Sequence, residues 1–247
     1  MRSIILIPTF NEIENIVHVV RSVAAIVPDC DLMVVDDNSP DGTADLAASV
    51  CREHRGYSVL RRTGKHGLGC AYIEAFKATL AEGYDRILQM DADMSHNPTD
   101  LPALLRAADG AGLVIGSRYC PGGRVLDWPT GRILLSRFAN VYVKAILGLR
   151  IDDTTAGFRC WHRDALHAVN LDSVQSTGYS FMVDMTYRAA RAGVAIQEVP
   201  ICFRDRTRGC SKMSRAVILE AIMMPWRLRL NRRHLVAKSS RHSPKLT

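Results

Sequence analysis

The chain has 247 residues, 47% hydrophobic and 23% charged, the make-up of a soluble globular protein with room for one large α/β domain but not for two generous ones. Lys and Arg number 32 against 25 Asp and Glu, a net charge of +7, and residues 204–247 hold twelve Lys/Arg but only two acids, Asp205 and Glu220. Seven scattered cysteines without a C-x-x-C spacing exclude a disulfide framework and a zinc site and point to reduced thiols in a cytosolic compartment.

The first apolar run, residues 4–7, is too short for the core of a signal peptide and reads as a strand. Ile16, Val19, Val20, Val23 and Ile26 then recur at helical spacing, which predicts a helix over 13–27 with one apolar face. Strand-like runs follow at 32–35, 58–60, 86–90 and 113–115, separated by helical patterns at 43–55, 69–82 and 101–108. Strands alternating with helices of this length mean βαβ units and a mostly parallel sheet with flanking helices. Beyond Gly116 the pattern changes. Residues 117–131, rich in Gly and Pro, read as a loop, 132–147 as a helix, 158–161 as a strand, 181–192 as a helix and 195–199 as a strand. Residues 216–230 are largely apolar but contain Glu220 and Pro225, and no stretch approaches the ~20 apolar residues of a membrane span. This last helix reads either as packed on the domain or as lying in a membrane interface. The basic end beyond it suits anionic lipid, nucleic acid or plain solvation.

The stretch Gln89-Met90-Asp91-Ala92-Asp93-Met94-Ser95-His96 sets two carboxylates just past a strand. Such a pair can hold one hard cation, Mg²⁺ or Mn²⁺, which completes its shell with substrate phosphates. The triplet alone reads equally well as a cap followed by a solvated turn residue. Ligands of open α/β sheets sit outside the carboxyl ends of the strands, and two more polar motifs stand at such ends. Pro8-Thr9-Phe10-Asn11-Glu12 closes the first strand, where Phe10 offers a flat surface and the polar groups can meet a ring, or where acids simply favour a helix start. Val34-Val35-Asp36-Asp37-Asn38-Ser39-Pro40-Asp41-Gly42-Thr43 closes the second. There Asp36 is the candidate acceptor for a base or ribose, and the rest is turn chemistry. Gly64-Lys65-His66-Gly67-Leu68-Gly69 looks like a phosphate loop but lacks the order G-x-x-x-x-G-K-[ST].

Taken together and in this order, IPTFNE, VVDDNSPDGT, GKHGLGCAY, DADMSH, GSRY-x-x-GG, DTTAGFR and EVPICFRDRTRGCSK resemble the family 2 glycosyltransferases of GT-A fold. Among these they look most like the polyprenol-phosphate (dolichol-phosphate) mannose synthases, and FMVDMTYRAARAG, with Asp184, is similar to the actinobacterial form. The resemblance implies a Rossmann-like GT-A catalytic domain over 1–212, beyond which the residue pattern reads as a C-terminal amphipathic helix over 213–233 and a basic, disordered tail over 234–247. It implies inverting transfer of mannose from GDP-mannose to a polyprenyl (dolichyl) phosphate, with Mg²⁺ or Mn²⁺. The alternative is a glucosyl- or other hexosyltransferase that takes a UDP-sugar to the same acceptor. The resemblance further implies a peripheral place on the cytoplasmic face of a membrane and no nucleic acid. Some relatives are anchored by their own transmembrane helices and some by other subunits or a fused domain, which leaves a separate membrane-anchoring protein as one candidate partner. By position, Asp91 and Asp93 match the metal and diphosphate aspartates. Ser95 takes the third metal position, where some relatives have Gln. Pro8, Phe10 (where Tyr is common), Glu12 and Asp36 match donor contacts. Arg118 and Arg132 match basic residues around the donor diphosphate and acceptor, and Arg206 and Lys212 match the pair in a loop that closes over phosphates. An acceptor phosphate is already ionised near neutral pH and needs no strong general base, so His66 and His96 read as structural.

Overall fold

A computed structural model describes residues 1–176, 178, 180–205 and 215–230, the side chains of 215–219 excepted. The successive apolar runs form β1 (Ser3–Thr9), β2 (Asp31–Asp36), β3 (Tyr57–Arg61), β4 (Arg86–Gln89) and β5 (Leu113–Ser117). They are joined by α1 (Ile16–Ile26), α2 (Thr43–Cys51), α3 (Leu68–Ala81) and α4 (Leu101–Ala107). Then come β6 (Arg124–Leu126), α5 (Thr130–Leu147), β7 (Arg159–His162), α6 (Arg163–Ala168), α7 (Ser180–Arg191), β8 (Ile196–Pro200), β9 (Cys202–Arg204) and α8 (Arg215–Leu230).

Seven strands make one sheet in the order β3-β2-β1-β4-β7-β5-β8, and β6 pairs with β9 apart from it. All seven run in one direction except β7, which is antiparallel to both β4 and β5. Successive side chains of a strand point to opposite faces, and here both faces are covered. Ile4 and Leu6 of β1, with Leu113 and Ile115 of β5, meet Phe76 of α3, Val143 of α5 and Met185 of α7. Ile5, Ile7 and Val114 meet Val19 of α1, Ala47 of α2 and Leu104 of α4 on the other side. Burial on both faces is why these strands read as unbroken apolar runs.

The strand order turns back between β1 and β4, and such a switch point opens the sheet's carboxyl edge to a ligand. The predicted loop 117–131 contains β6, paired in register Arg124↔Cys202, Val125↔Phe203 and Leu126↔Arg204. Three residues are too few to show a period. The helix expected from 13 starts at Ile16, because the amides of Asn15 and Ile16 both donate to the Glu12 carbonyl (3.0 and 2.9 Å) and make a turn first.

Candidate active site

The loops beyond β1, β2 and β4 share a backbone feature. Asn11 (φ 58°), Asn38 (φ 58°) and Met94 (φ 62°) are all left-handed, a conformation uncommon outside glycine and less common for Met than for Asn. Each lets the chain turn sharply off its strand, and side-chain hydrogen bonds hold the turns. Asp36 accepts from Thr9 Oγ1 (2.8 Å), the Ser39 amide (2.8 Å) and Ser39 Oγ (2.6 Å). It is shut in at 1% exposure, so its described partners are the loop residues it holds. Asp41, read as turn chemistry, accepts from the Thr43 amide and hydroxyl (3.0 and 2.6 Å) and from the Ile13 amide (3.2 Å). It thereby ties the first loop to the second.

Pro8 at the end of β1 and Phe10 and Glu12 in the first loop are half-buried. Glu12 Oε2 accepts from Asn15 Nδ2 at 2.9 Å, and the Lys65 ammonium lies 3.8 Å from the centroid of the Phe10 ring. The glycines of the Gly64–Gly69 motif answer to packing. A Cβ on Gly69 would stand 2.2 Å from the Ser176 carbonyl oxygen, and Gly67 has φ 91°.

In the loop after β4, Asp93 Oδ1 accepts from the Ser95 amide (3.1 Å) and the Ser95 hydroxyl (2.6 Å). Ser95, expected as a metal ligand, is 3% exposed, and its hydroxyl donates to Asp93 and so helps to hold that carboxylate. The Asp91 amide donates to His96 Nδ1 at 3.1 Å. The His96 ring stacks on Phe158 (4.9 Å, 12°) and meets Phe203 edge-on at 5.6 Å. Phe203 meets Trp128 at 5.4 Å, and the Arg132 guanidinium sits 3.9 Å over the Trp128 ring while pairing with Asp205 at 3.0 Å. An aromatic column thus runs from Asp91 to Arg132. Gly157 leaves space beside Asp91: a Cβ there would lie 3.7 Å from each carboxylate oxygen. Two hard carboxylates, with room beside Asp91, suit a cation that takes its remaining ligands from water and phosphate. Among the described residues no group of three or more His, Cys, Asp and Glu gathers to hold a metal by itself.

Arg118, expected at the phosphates, is turned inward. Its Nε and Nη2 donate to the two oxygens of Asp153 at 2.7 Å each, its amide donates to Oδ2 at 3.1 Å, and Nη2 also reaches Thr155 Oγ1 at 2.8 Å. Glu198 of β8 accepts from the Asp152 and Asp153 amides (2.7 and 2.9 Å), and Asn140 of α5 accepts from the Thr154 amide and hydroxyl (2.8 and 2.9 Å). Arg159 donates to the carbonyls of Ala156 (2.7 Å) and Thr154 (3.1 Å). It is wholly buried, and that burial pulls its guanidinium down to about 9. Asn140, Asp153, Glu198 and Arg159 were not singled out from the sequence. Asp153 and Arg159 stand in DTTAGFR and Glu198 opens EVPICFRDRTRGCSK, so the motifs held three of the four without showing what each does, and Asn140 had no signal. Arg206 and Lys212 lie outside the described residues.

Beyond Arg132 the surface turns apolar. Leu134, Leu135, Phe138 and Val141 of α5 and Ile222, Met223, Trp226 and Leu230 of α8 are all exposed. The two helices are joined where Tyr142 donates to the Ile222 carbonyl (2.9 Å) and accepts from Trp226 Nε1 (3.0 Å). Leu228 of α8 is buried in the core while Trp226 faces out, so the helix both packs on the domain and presents an apolar side. Among the described residues no helix is long and apolar enough to cross a membrane.

Solved structures share this fold. Mannosyl-3-phosphoglycerate synthase from Rubrobacter xylanophilus superimposes with a TM-score of 0.69 at 20% identity, over 100% of this chain and 79% of that one. Glucosyl-3-phosphoglycerate synthase from Mycobacterium tuberculosis, solved with Mn²⁺, uridine diphosphate and glucosyl-3-phosphoglycerate, gives 0.66 at 20% identity, over 96% and 81%. The fold is therefore that of the GT-A glycosyltransferases. In sequence, a model of glycosyl transferase family 2 matches residues 4–169. An undecaprenyl-phosphate mannosyltransferase of Micrococcus luteus is 48% identical over 90% of this chain and 92% of its own. A polyprenol monophosphomannose synthase of Mycolicibacterium smegmatis is 46% identical over 90% and 84%. The chain belongs to glycosyl transferase family 2, in the group of the polyprenol-phosphate mannosyltransferases.

Proposed function

We propose that the protein transfers mannose from GDP-mannose to the phosphate of a polyprenyl phosphate, with inversion, at the cytoplasmic surface of a membrane. The observation that carries this reading is the order of chemistry along one edge. The Asp91/Asp93 carboxylates lead through the aromatic column to Arg132, and from Arg132 to the apolar face of α5 and α8. That order suits a diphosphate donor, an anionic acceptor head and a lipid tail in turn. The 48% identical undecaprenyl-phosphate mannosyltransferase supports the choice of sugar and acceptor.

In the proposed step a phosphate oxygen of the acceptor forms a bond to C1 of mannose as the bond from C1 to the diphosphate oxygen breaks. GDP leaves with the electron pair, and a single displacement from the opposite side inverts C1. The attacking phosphate is ionised near neutral pH, its second pKa being ~6, so no side chain has to remove a proton. Asp91 and Asp93 would hold Mg²⁺ or Mn²⁺, whose charge offsets the charge developing on the diphosphate. Ser95 keeps Asp93 aimed, and Arg132, stiffened by Trp128 and Asp205, offers a cation to the acceptor. Arg206 and Lys212 are proposed to close over the phosphates.

The test offers purified protein a short polyprenyl phosphate with GDP-mannose or UDP-glucose, in Mg²⁺, Mn²⁺ or chelator. Mannosyl lipid should form from GDP-mannose and only with metal. Preferred transfer from UDP-glucose, or undiminished transfer in chelator, would overturn the reading.

A further inference from the structure

Phe10 lies just past the carboxyl end of β1, beside the point where the strand order turns back. Its ring is half-buried, and Lys65 lays its ammonium 3.8 Å from the ring centroid. Lys65 comes from the loop between β3 and α3, whose root is fixed. Arg62 there is 8% exposed, pairs with Asp37 and reaches Glu74 Oε2 at 2.9 Å. Burial works against the Arg62 charge, yet Glu74 and Asp37 together hold its guanidinium above the usual value. The tip carrying Lys65 and His66 lies between Gly64 and Gly67, and Lys65 is exposed. Among the described residues Lys65 has no ion pair, although Arg62 beside it has two. Its ammonium rests on the aromatic face at the edge where the donor's base is proposed to lie.

A cation over an aromatic ring at an exposed site is held weakly, so a flat ring can displace it from Phe10. We propose that Lys65 is the residue that selects the base of the donor. The base stacks on Phe10 in place of the ammonium, and the ammonium moves to the base's edge and donates to its acceptors. Guanine presents two neighbouring acceptors there, O6 and N7, and a lysine reads that pair well. Uracil offers a single carbonyl on the matching edge. Lys65 therefore favours GDP over UDP, which deepens the proposed function and rests on it.

The experiment titrates GDP and UDP, each with Mn²⁺, into the full chain and into Lys65→Met and Lys65→Arg, with binding read by calorimetry. Met keeps the length of the stem and removes the charge. Because Lys65 is at the surface, thermal melts of the variants should coincide with that of the wild type. Wild type should prefer GDP. Lys65→Met should bind GDP about tenfold more weakly while keeping its UDP affinity, and Lys65→Arg should keep most of the preference. Equal losses for GDP and UDP, or no loss, would overturn the role of Lys65 and leave the GDP-mannose reading standing. A wild type that prefers UDP would overturn both.

Discussion

Arg118 and Asp153 are both shut away from water, at 9% and 0% exposure, so removing either one leaves a buried charge without its partner. Burial opposes the charge of each, but the pair wins: Asp153 is held below the usual carboxylate range and Arg118 above its own. A carboxyl depressed on folding contributes stability above its unfolded value of ~3.9, and that stability is lost as pH falls through the lower folded value. Asp153→Asn should therefore flatten the acid end of the stability curve. Arg118→Ala should cost about 3–5 kcal/mol, whereas Arg132→Ala, whose side chain is 37% exposed where it pairs with Asp205, should cost ~0–1 kcal/mol. Urea unfolding of the two variants checks this, and an Arg118→Ala protein as stable as wild type would refute it. Ser95 and Asp93 separate in another way. Asp93→Ala should abolish turnover, while Ser95→Ala, which removes only the group that aims Asp93, should lower it by about tenfold with little change in melting temperature. Initial rates decide, because equal losses in the two variants would make Ser95 a ligand in its own right.

At the next scale the contacts between elements set the cost of change. Gly69→Ala would drive a Cβ to 2.2 Å from the Ser176 carbonyl and 3.0 Å from the Phe181 ring. A backbone oxygen cannot swing aside, so α3 and the turn before α7 must part. The expected loss is about 1–3 kcal/mol. Gly131→Ala, with nothing within 4 Å of the new Cβ, should instead be neutral or gain ~0.5–1 kcal/mol in the first turn of α5. Thermal melts that ranked the two the other way would contradict the packing described. The same contrast explains what the sequence made legible. β1, β2, β4 and β5 are apolar on both faces and could be read directly. β6, β9 and α6 could not, because they exist through their partners and caps: β6 and β9 pair across almost eighty residues, and the side chain of His162 caps α6. In the site, the carboxylates at strand ends were visible because the fold brings such ends together. The inward turn of Arg118 was hidden, since nothing in GSRY announces an aspartate 35 residues further on. The network of Asn140, Asp153 and Glu198 draws on three distant segments. The glycine motif could not be read alone, because a close backbone approach demands glycine just as a phosphate does.

For the molecule as a whole, exposed apolar side chains of α5 and α8 flank the joint at Tyr142, with Arg137, Arg227 and Arg229 exposed on the same two helices, and apolar and basic groups together suit an anionic bilayer surface. Phe138→Asp and Trp226→Asp, both at exposed positions, should weaken co-sedimentation with anionic vesicles and slow transfer to a long-chain acceptor. Transfer to a short, water-soluble acceptor should be largely spared, and an equal loss on both acceptors would mark the face as part of the fold. A last consequence lies in β7, the one strand that runs against the others. Among the described strands, β3-β2-β1-β4 and β5-β8 are hydrogen-bonded to each other only through it. As the chain leaves the ribosome, the first four strands and β5 are made before residues 159–162 emerge, and until then β4 has an open edge. Insertion of β7 closes that edge. It also carries residues 153–157 into place, setting Asp153 under Arg118 and Gly157 beside Asp91. Closing the seam and bringing the 153–157 loop to the site are thus coupled through one strand, and a nascent chain stalled before it would hold the aspartates beyond β4 without the loop that completes their surroundings.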